Sequence, residues 1–142
     1  MGVEVLRSIR PSVHNEVEAG DLVLTLLDLS SNSLKSIEWH IFTGLDSLEV
    51  LLLYNNHLES ISGSMRLHKL RSLYLSNNQL HNFPEGLLSP KDRPQTLRVV
   101  DLSYNHLQDL PIEKMKDLPL SFSVLAAEVL DSPECSPSSL EL

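Results

Sequence analysis

Of 142 residues only one is a cysteine, Cys135, so no internal disulfide can staple the chain. It sits in DSPECSPSSLEL, residues 131–142, where a Ser/Pro-rich setting reads as an incidental thiol rather than a nucleophile. Aromatic residues make up only 5%, as expected of a core built from leucine. Basic residues are scarce: 11 Lys and Arg against 19 Asp and Glu leave a net charge of −8. Nucleic acid needs clustered cations, and the densest basic run here, Arg66 to Arg71, is broken by leucines. No nucleic-acid partner is expected. No hydrophobic run approaches the ~20 residues of a membrane-spanning helix. The opening MGVEVLRSIR lacks the continuous apolar core of a secretory leader, and Leu6 does not fit a myristoylation start. No asparagine opens an N-x-Ser/Thr sequon. The chain also has no glycine-rich phosphate loop, no HExxH and no nucleophile motif. No enzymatic activity, cofactor, metal or small-molecule substrate is therefore expected.

What the chain has is leucine at a fixed spacing. LEVLLLYNNHL, residues 48–58, places leucines at template positions 1, 4, 6 and 11 and Asn56 at position 9. A strand turns every second side chain to one face, which Leu51 and Leu53 satisfy. The same spacing recurs from Leu24 (Leu27, Leu29, Asn32, Leu34), from Leu70 (Leu73, Leu75, Asn78, Leu80) and from Leu97 (Val100, Leu102, Asn105, Leu107). This is a leucine-rich repeat array: an α/β-type solenoid of about four coils with a short parallel sheet on its concave face and an irregular or short-helical convex side. Asn32, Asn56, Asn78 and Asn105 are expected to form a ladder past the strands, their amides pairing backbone groups of neighbouring coils that burial would leave unsatisfied. Each unsatisfied group costs roughly 1–3 kcal/mol.

Residues 1–23 do not follow the template and are expected to form an irregular edge or a degenerate repeat. The repeat domain spans 24–119, with repeats beginning near 24, 48, 70 and 97. On the returning side Ile37, Phe42 and Leu45, then Ile61, Met65 and Leu67, then Phe83, Leu87 and Leu88, and finally Leu110, Met115 and Leu118 are spaced to point inward. Trp39 reads as core filler, and Gly63-Ser64 as a turn. SPKDRP, residues 89–94, reads as a surface loop. Ala126, Ala127 and Glu128 suggest a short capping helix over 120–130. Residues 131–142 are expected to be disordered.

Template positions 3, 5 and 7 alternate with the buried leucines and so face outward on the concave sheet. In the middle of that face they carry Val50, Leu52, Tyr54 and Tyr74, with Leu26 and Val99 alongside and Tyr104 bordering at position 8. A clustered apolar and aromatic sheet face marks a contact surface, so these seven residues are the candidate partner-binding set and the expected partner is a protein. Glu49, Arg71 and Arg98 at position 2 suggest a charged rim. His57 and His106 follow the ladder asparagine and His81 lies in the coil between, but no cysteine or carboxylate cluster completes a zinc set.

LEVLLLYNNHL followed by LRSLYLSNNQL, Phe83-Pro84 and LRVVDLSYNHLQDLP resembles the AMIGO (amphoterin-induced) family; LLDLSSNSLKSI and IFTGL fit it too. The resemblance covers about residues 24–119, and the YLHNNP and Cys-x-Cys continuation of that family is absent. It implies a neuronal cell-surface adhesion protein with a repeat domain, an immunoglobulin domain and one membrane span, associating with itself or with a family member. It thus implies the cell surface for a chain whose sequence shows neither leader nor span, and it implies contact residues at Val50, Leu52, Tyr54 and Tyr74. Two alternatives stand beside adhesion: a cytosolic scaffold or regulatory subunit using the same face, and a truncated product with no independent role.

Overall fold

The computed structural model describes residues 23–84, 86, 87, 89, 91, 93–109, 111, 113 and the backbone of 123–125. Five short strands build one parallel sheet: β1 (Leu26–Asp28), β3 (Val50–Leu52), β5 (Ser72–Tyr74), β6 (Val99–Asp101) and β7 (Ser123–Leu125), in that spatial order. Each strand pairs with the same strand one turn later, and the register never slips: Leu27, Leu51, Leu73 and Val100 stand opposite one another. This constancy follows from the period of two, because a one-residue slip would turn every inward leucine to solvent. Three turns separate β1 from β6, giving a parallel-sheet solenoid with little helix.

The middle residues of β3, β5 and β6 (Leu51, Leu73 and Val100) are fully buried, as are Leu53, Leu75 and Leu102 two residues on. Leu48, Leu70 and Leu97 close the core below them, and Leu58, Leu80 and Leu107 close it above. In the first coil the equivalents Leu24, Leu27 and Leu29 are only partly buried, while Leu34 is covered. Burial thus deepens from β1 into the stack, as expected where each coil is covered by its neighbours.

On the returning side a second parallel pair forms, β2 (Ser36–Glu38) with β4 (Ser60–Ser62), Ile37 facing Ile61 across the register. A 3₁₀ helix, Trp39–Phe42, follows β2 and buries Trp39, Ile41 and Phe42. Ile61, Met65, Leu67, Leu45 and Leu87 complete this half of the core, and Phe83 packs against it partly buried. Trp39 and Phe42 meet with ring centroids 6.2 Å apart at a tilt of 48°. Gly86 takes φ +87 where successive coils approach closely: a Cβ there would lie 3.3 Å from the Gly63 carbonyl oxygen and 3.4 Å from the Met65 nitrogen. Gly63 itself turns with φ +89.

The stretch 120–130 reads as a capping helix, yet Ser123–Leu125 forms β7, pairing parallel with β6 through Val99↔Ser123 and Asp101↔Leu125. The cause is the open edge of β6, whose outward N–H and C=O groups require partners. Strand pairing there outweighs a helix preference worth only tenths of a kcal/mol per residue. Ala126, Ala127 and Glu128, which suggest the helix, lie outside the described residues, as do residues 1–22, Leu88, Leu110, Met115, Leu118 and the tail 131–142.

Candidate functional site

The outward face of the sheet is built by the same alternation that buries the leucines. Its first row, across the strands, is Leu26, Val50, Ser72, Val99; its second is Asp28, Leu52, Tyr74, Asp101. Beyond the strand ends, backbone bonds continue the ladder through a third row. The N–H of Ser31 donates to the Tyr54 carbonyl (3.1 Å), that of Asn55 to Ser76 (3.1 Å) and that of Asn77 to Ser103 (2.9 Å). Tyr54 therefore stands two residues past Leu52 on the same side of the sheet. Val50, Leu52, Tyr54, Tyr74 and Val99 are all half-buried, and Leu26 is 49% exposed. Leu52 and Tyr74 are direct neighbours in register, whereas Ser72 separates Val50 from Val99.

Tyr104 stands apart from this face. It takes φ +55 at the turn and is 63% exposed. There it lines an open groove with Asn55, His57, Asn77, Gln79 and His106. Position 8 is left-handed in every described repeat, with Ser31, Asn55 and Asn77 at φ 57, 56 and 56. The asparagines there also pair, Asn77 Nδ2 donating to Asn55 Oδ1 at 2.6 Å. The doubled asparagines at 55–56 and 77–78 are the sequence trace of this second ladder.

The inner ladder repeats one bonding pattern. Asn56 Nδ2 donates to the carbonyls of Leu53 (3.0 Å) in its own coil and Leu29 (3.1 Å) in the coil before, and its Oδ1 accepts from the N–H groups of Asn32 (3.0 Å) and Leu34 (3.2 Å). Asn78 binds the Leu75 and Leu53 carbonyls and accepts from Leu58; Asn105 binds those of Leu102 and Leu75 and accepts from Leu80. Asn32 donates to Leu29 and Ser30 within its own coil.

The charged groups of the face are held in place. Asp28 accepts from both the N–H (2.9 Å) and the hydroxyl (2.5 Å) of Ser30. These bonds, the hydroxyl's first, hold its carboxyl below the usual aspartate range. Asp101 accepts the equivalent pair from Ser103, through the N–H at 3.0 Å and through the hydroxyl. The repeated Asp-x-Ser at 28–30 and 101–103 was the readable signal for these clamps. At the rim, the guanidinium of Arg71 lies 3.3 Å from Glu49, and that of Arg98 donates to the carbonyls of Gln95 (2.7 Å) and Leu97 (2.9 Å).

The exposed histidines divide differently from their spacing. His81 stacks on His106 with ring centroids 5.8 Å apart, while His57 shares the groove with His106. Among the described residues no group of three or more His, Cys, Asp or Glu could hold a metal ion. Among them, too, no helix is long and apolar enough to cross a membrane.

Two descriptions of leucine-rich repeats match the chain, one over residues 23–80 and the other over 96–118. Lumican of Gallus gallus is 35% identical over 114 residues, covering 76% of this chain and 32% of that protein. Toll-like receptor 5 of Homo sapiens is 36% identical over 89 residues, 61% of this chain and 9% of the receptor. The adenylate cyclase of Schizosaccharomyces pombe is 33% identical over 99 residues, 69% of this chain but only 6% of the cyclase. The chain spans between 6% and 32% of the length of such curated relatives. Repeat spacing, constant register, an amide ladder and these similarities agree: the chain belongs to the leucine-rich repeat family.

Proposed function

We propose that this chain is a non-catalytic protein-binding module whose contact surface is the concave sheet, and that the binding serves adhesion at a cell surface. The observation that carries the proposal is the pairing of Leu52 with Tyr74 at the centre of the exposed face, with Val50, Val99 and Tyr54 around them. A rigid sheet that leaves apolar and aromatic side chains half-exposed gains by covering them with another protein. Neighbouring strands hold these side chains in fixed register, so little ordering entropy opposes the contact. The resemblance to the AMIGO family supports the cell-surface setting, as does similarity to a receptor. The cyclase similarity covers too little of that enzyme to bring catalysis with it.

Attachment of protein-coated beads to cells tests the proposal. Beads carrying the full chain should attach, and Tyr54→Asp or Leu52→Asp should abolish attachment while leaving the circular dichroism spectrum and melting unchanged. Attachment that survives both substitutions contradicts the assignment of the face. A scaffold or regulatory subunit in a reducing compartment is the second reading, favoured by a sequence with a single cysteine. Fractionation of cells making the natural gene product separates the two readings.

A further inference from the structure

The second row of the concave face has an order that its apolar centre does not require: carboxylate, leucine, tyrosine, carboxylate. Asp28, Leu52, Tyr74 and Asp101 lie directly beside one another across four strands. Both carboxylates are fixed by the same clamp from the serine two residues on. No lysine or arginine occupies positions 3 to 8 of any repeat. The cations at position 2 are turned to local duties, Arg71 to Glu49 and Arg98 to backbone carbonyls.

We propose that the occupant of this row is an extended, basic segment of a partner protein, with Lys or Arg at residues i and i+4 and an apolar side chain at i+2. The proposal rests on the concave-sheet reading above and narrows it. Three strand-to-strand steps of about 4.8 Å put Asp28 and Asp101 roughly 14 Å apart. Along an extended chain, i, i+2 and i+4 share one face, and i to i+4 spans about 13 Å. Two cations at that interval reach both carboxylates while the residue between them lies over Leu52 and Tyr74. The alkyl stems of Lys or Arg cover the apolar centre, and a guanidinium finds the Tyr74 ring. A second copy laid face to face on the same row meets carboxylates with carboxylates, and the chain's net charge of −8 adds to the repulsion.

Fluorescence anisotropy with capped, labelled peptides and the full chain tests this directly. The probes are Lys-Ser-Phe-Ser-Lys, its neutral analogue Ser-Ser-Phe-Ser-Ser, its acidic analogue Glu-Ser-Phe-Ser-Glu, and Ser-Lys-Phe-Lys-Ser, which keeps the charge but shortens the interval. The first should bind most tightly. Asp28→Asn and Asp101→Asn should each weaken it about two- to fivefold, the range of an exposed ion pair. Asp46→Asn, on the returning side, should leave it unchanged. Added salt should weaken the basic peptide and spare the neutral one. Equal affinity for all four peptides, no binding by any, or indifference to both Asp→Asn changes overturns the basic segment. If the neutral peptide binds equally well and Leu52→Asp abolishes it, the basic segment fails while the concave-sheet reading stands. If basic-peptide binding persists in Leu52→Ser and in both Asn variants, both readings fail.

Discussion

The side-chain amide of Asn78 donates to the carbonyl of Leu53, 3.0 Å away in the preceding coil. The same amide holds Leu75 in its own coil, and its oxygen accepts from Leu58. One side chain thus ties strand end to strand end inside the buried core.

Asn78→Leu leaves the Leu58 N–H unpaired, at roughly 1–3 kcal/mol, while the Leu53 and Leu75 carbonyls keep one amide donor each, from Asn56 and Asn105. The variant should lose about 1–3 kcal/mol in urea denaturation, a large share of what a short stack possesses. Asn32→Leu should cost clearly less, because Asn32 donates only within its own coil. Equal losses at the two positions would contradict the between-coil role of the ladder.

Leu73 is completely buried at the centre of β5 between Leu51 and Val100. Leu73→Ala should cost about 2–5 kcal/mol by opening a cavity that the neighbouring coils cannot close. Leu27, half-buried in the first coil, should cost less when cut to alanine. Thermal melts of the two variants make the comparison.

Tyr104 holds φ +55 where the two central repeats use asparagine. A bulky side chain is disfavoured in that left-handed region, which asparagine tolerates. Tyr104→Asn should therefore raise stability by about 0.5–1 kcal/mol, read as a higher urea midpoint with an unchanged slope. A lower midpoint would show that the tyrosine ring contributes more than its backbone costs.

Gly86→Ala should destabilise by about 1–2 kcal/mol, because φ +87 strains any L side chain and its Cβ would press on the Gly63 carbonyl at 3.3 Å. Gly44, at φ +96 with open space around its Cβ position, carries only the conformational share and should cost less. Chemical denaturation of both variants checks the order.

Asp28 has a carboxyl held down by its two bonds from Ser30. The folded-state value lies below the unfolded one, so the stabilisation is full above the ordinary aspartate range and is lost as pH falls through the lowered midpoint. Carboxyl carbon NMR should find Asp28 titrating below a free aspartate, and Ser30→Ala should move it back up. An unshifted midpoint in the native chain would remove the clamp from the account.

The parts of this fold that repeat were legible in the residues, and the parts that depend on an edge were not. Leucines at 51 and 53, 73 and 75 and their kin place strands and core together, because the spacing that makes a strand also fills the coil. Trp39 and, on the returning side, the buried places of Ile37, Phe42, Leu45, Ile61, Met65, Leu67 and Leu87 followed from the same spacing. β7 escaped because Ser123–Leu125 is drawn into the sheet by the free groups of β6, a cause about twenty residues away in sequence. The pairing of β2 with β4 is likewise a between-coil event with only Ile37 and Ile61 to mark it. On the face, the neighbouring places of Leu52 and Tyr74 could be read from position alone. Tyr104 could not, since its direction is set by a left-handed turn that a tyrosine does not announce.

Site-specific photo-crosslinking tests the central claim most directly. A benzoylphenylalanine placed at position 74, at position 52 and, for contrast, at Lys69 on the exposed returning side would be carried by the full chain on cells that bind it. Covalent capture of a protein from positions 52 and 74, with none from 69, is the result this account predicts. Capture from 69 alone, or equally from all three positions, would contradict a binding surface on the concave sheet.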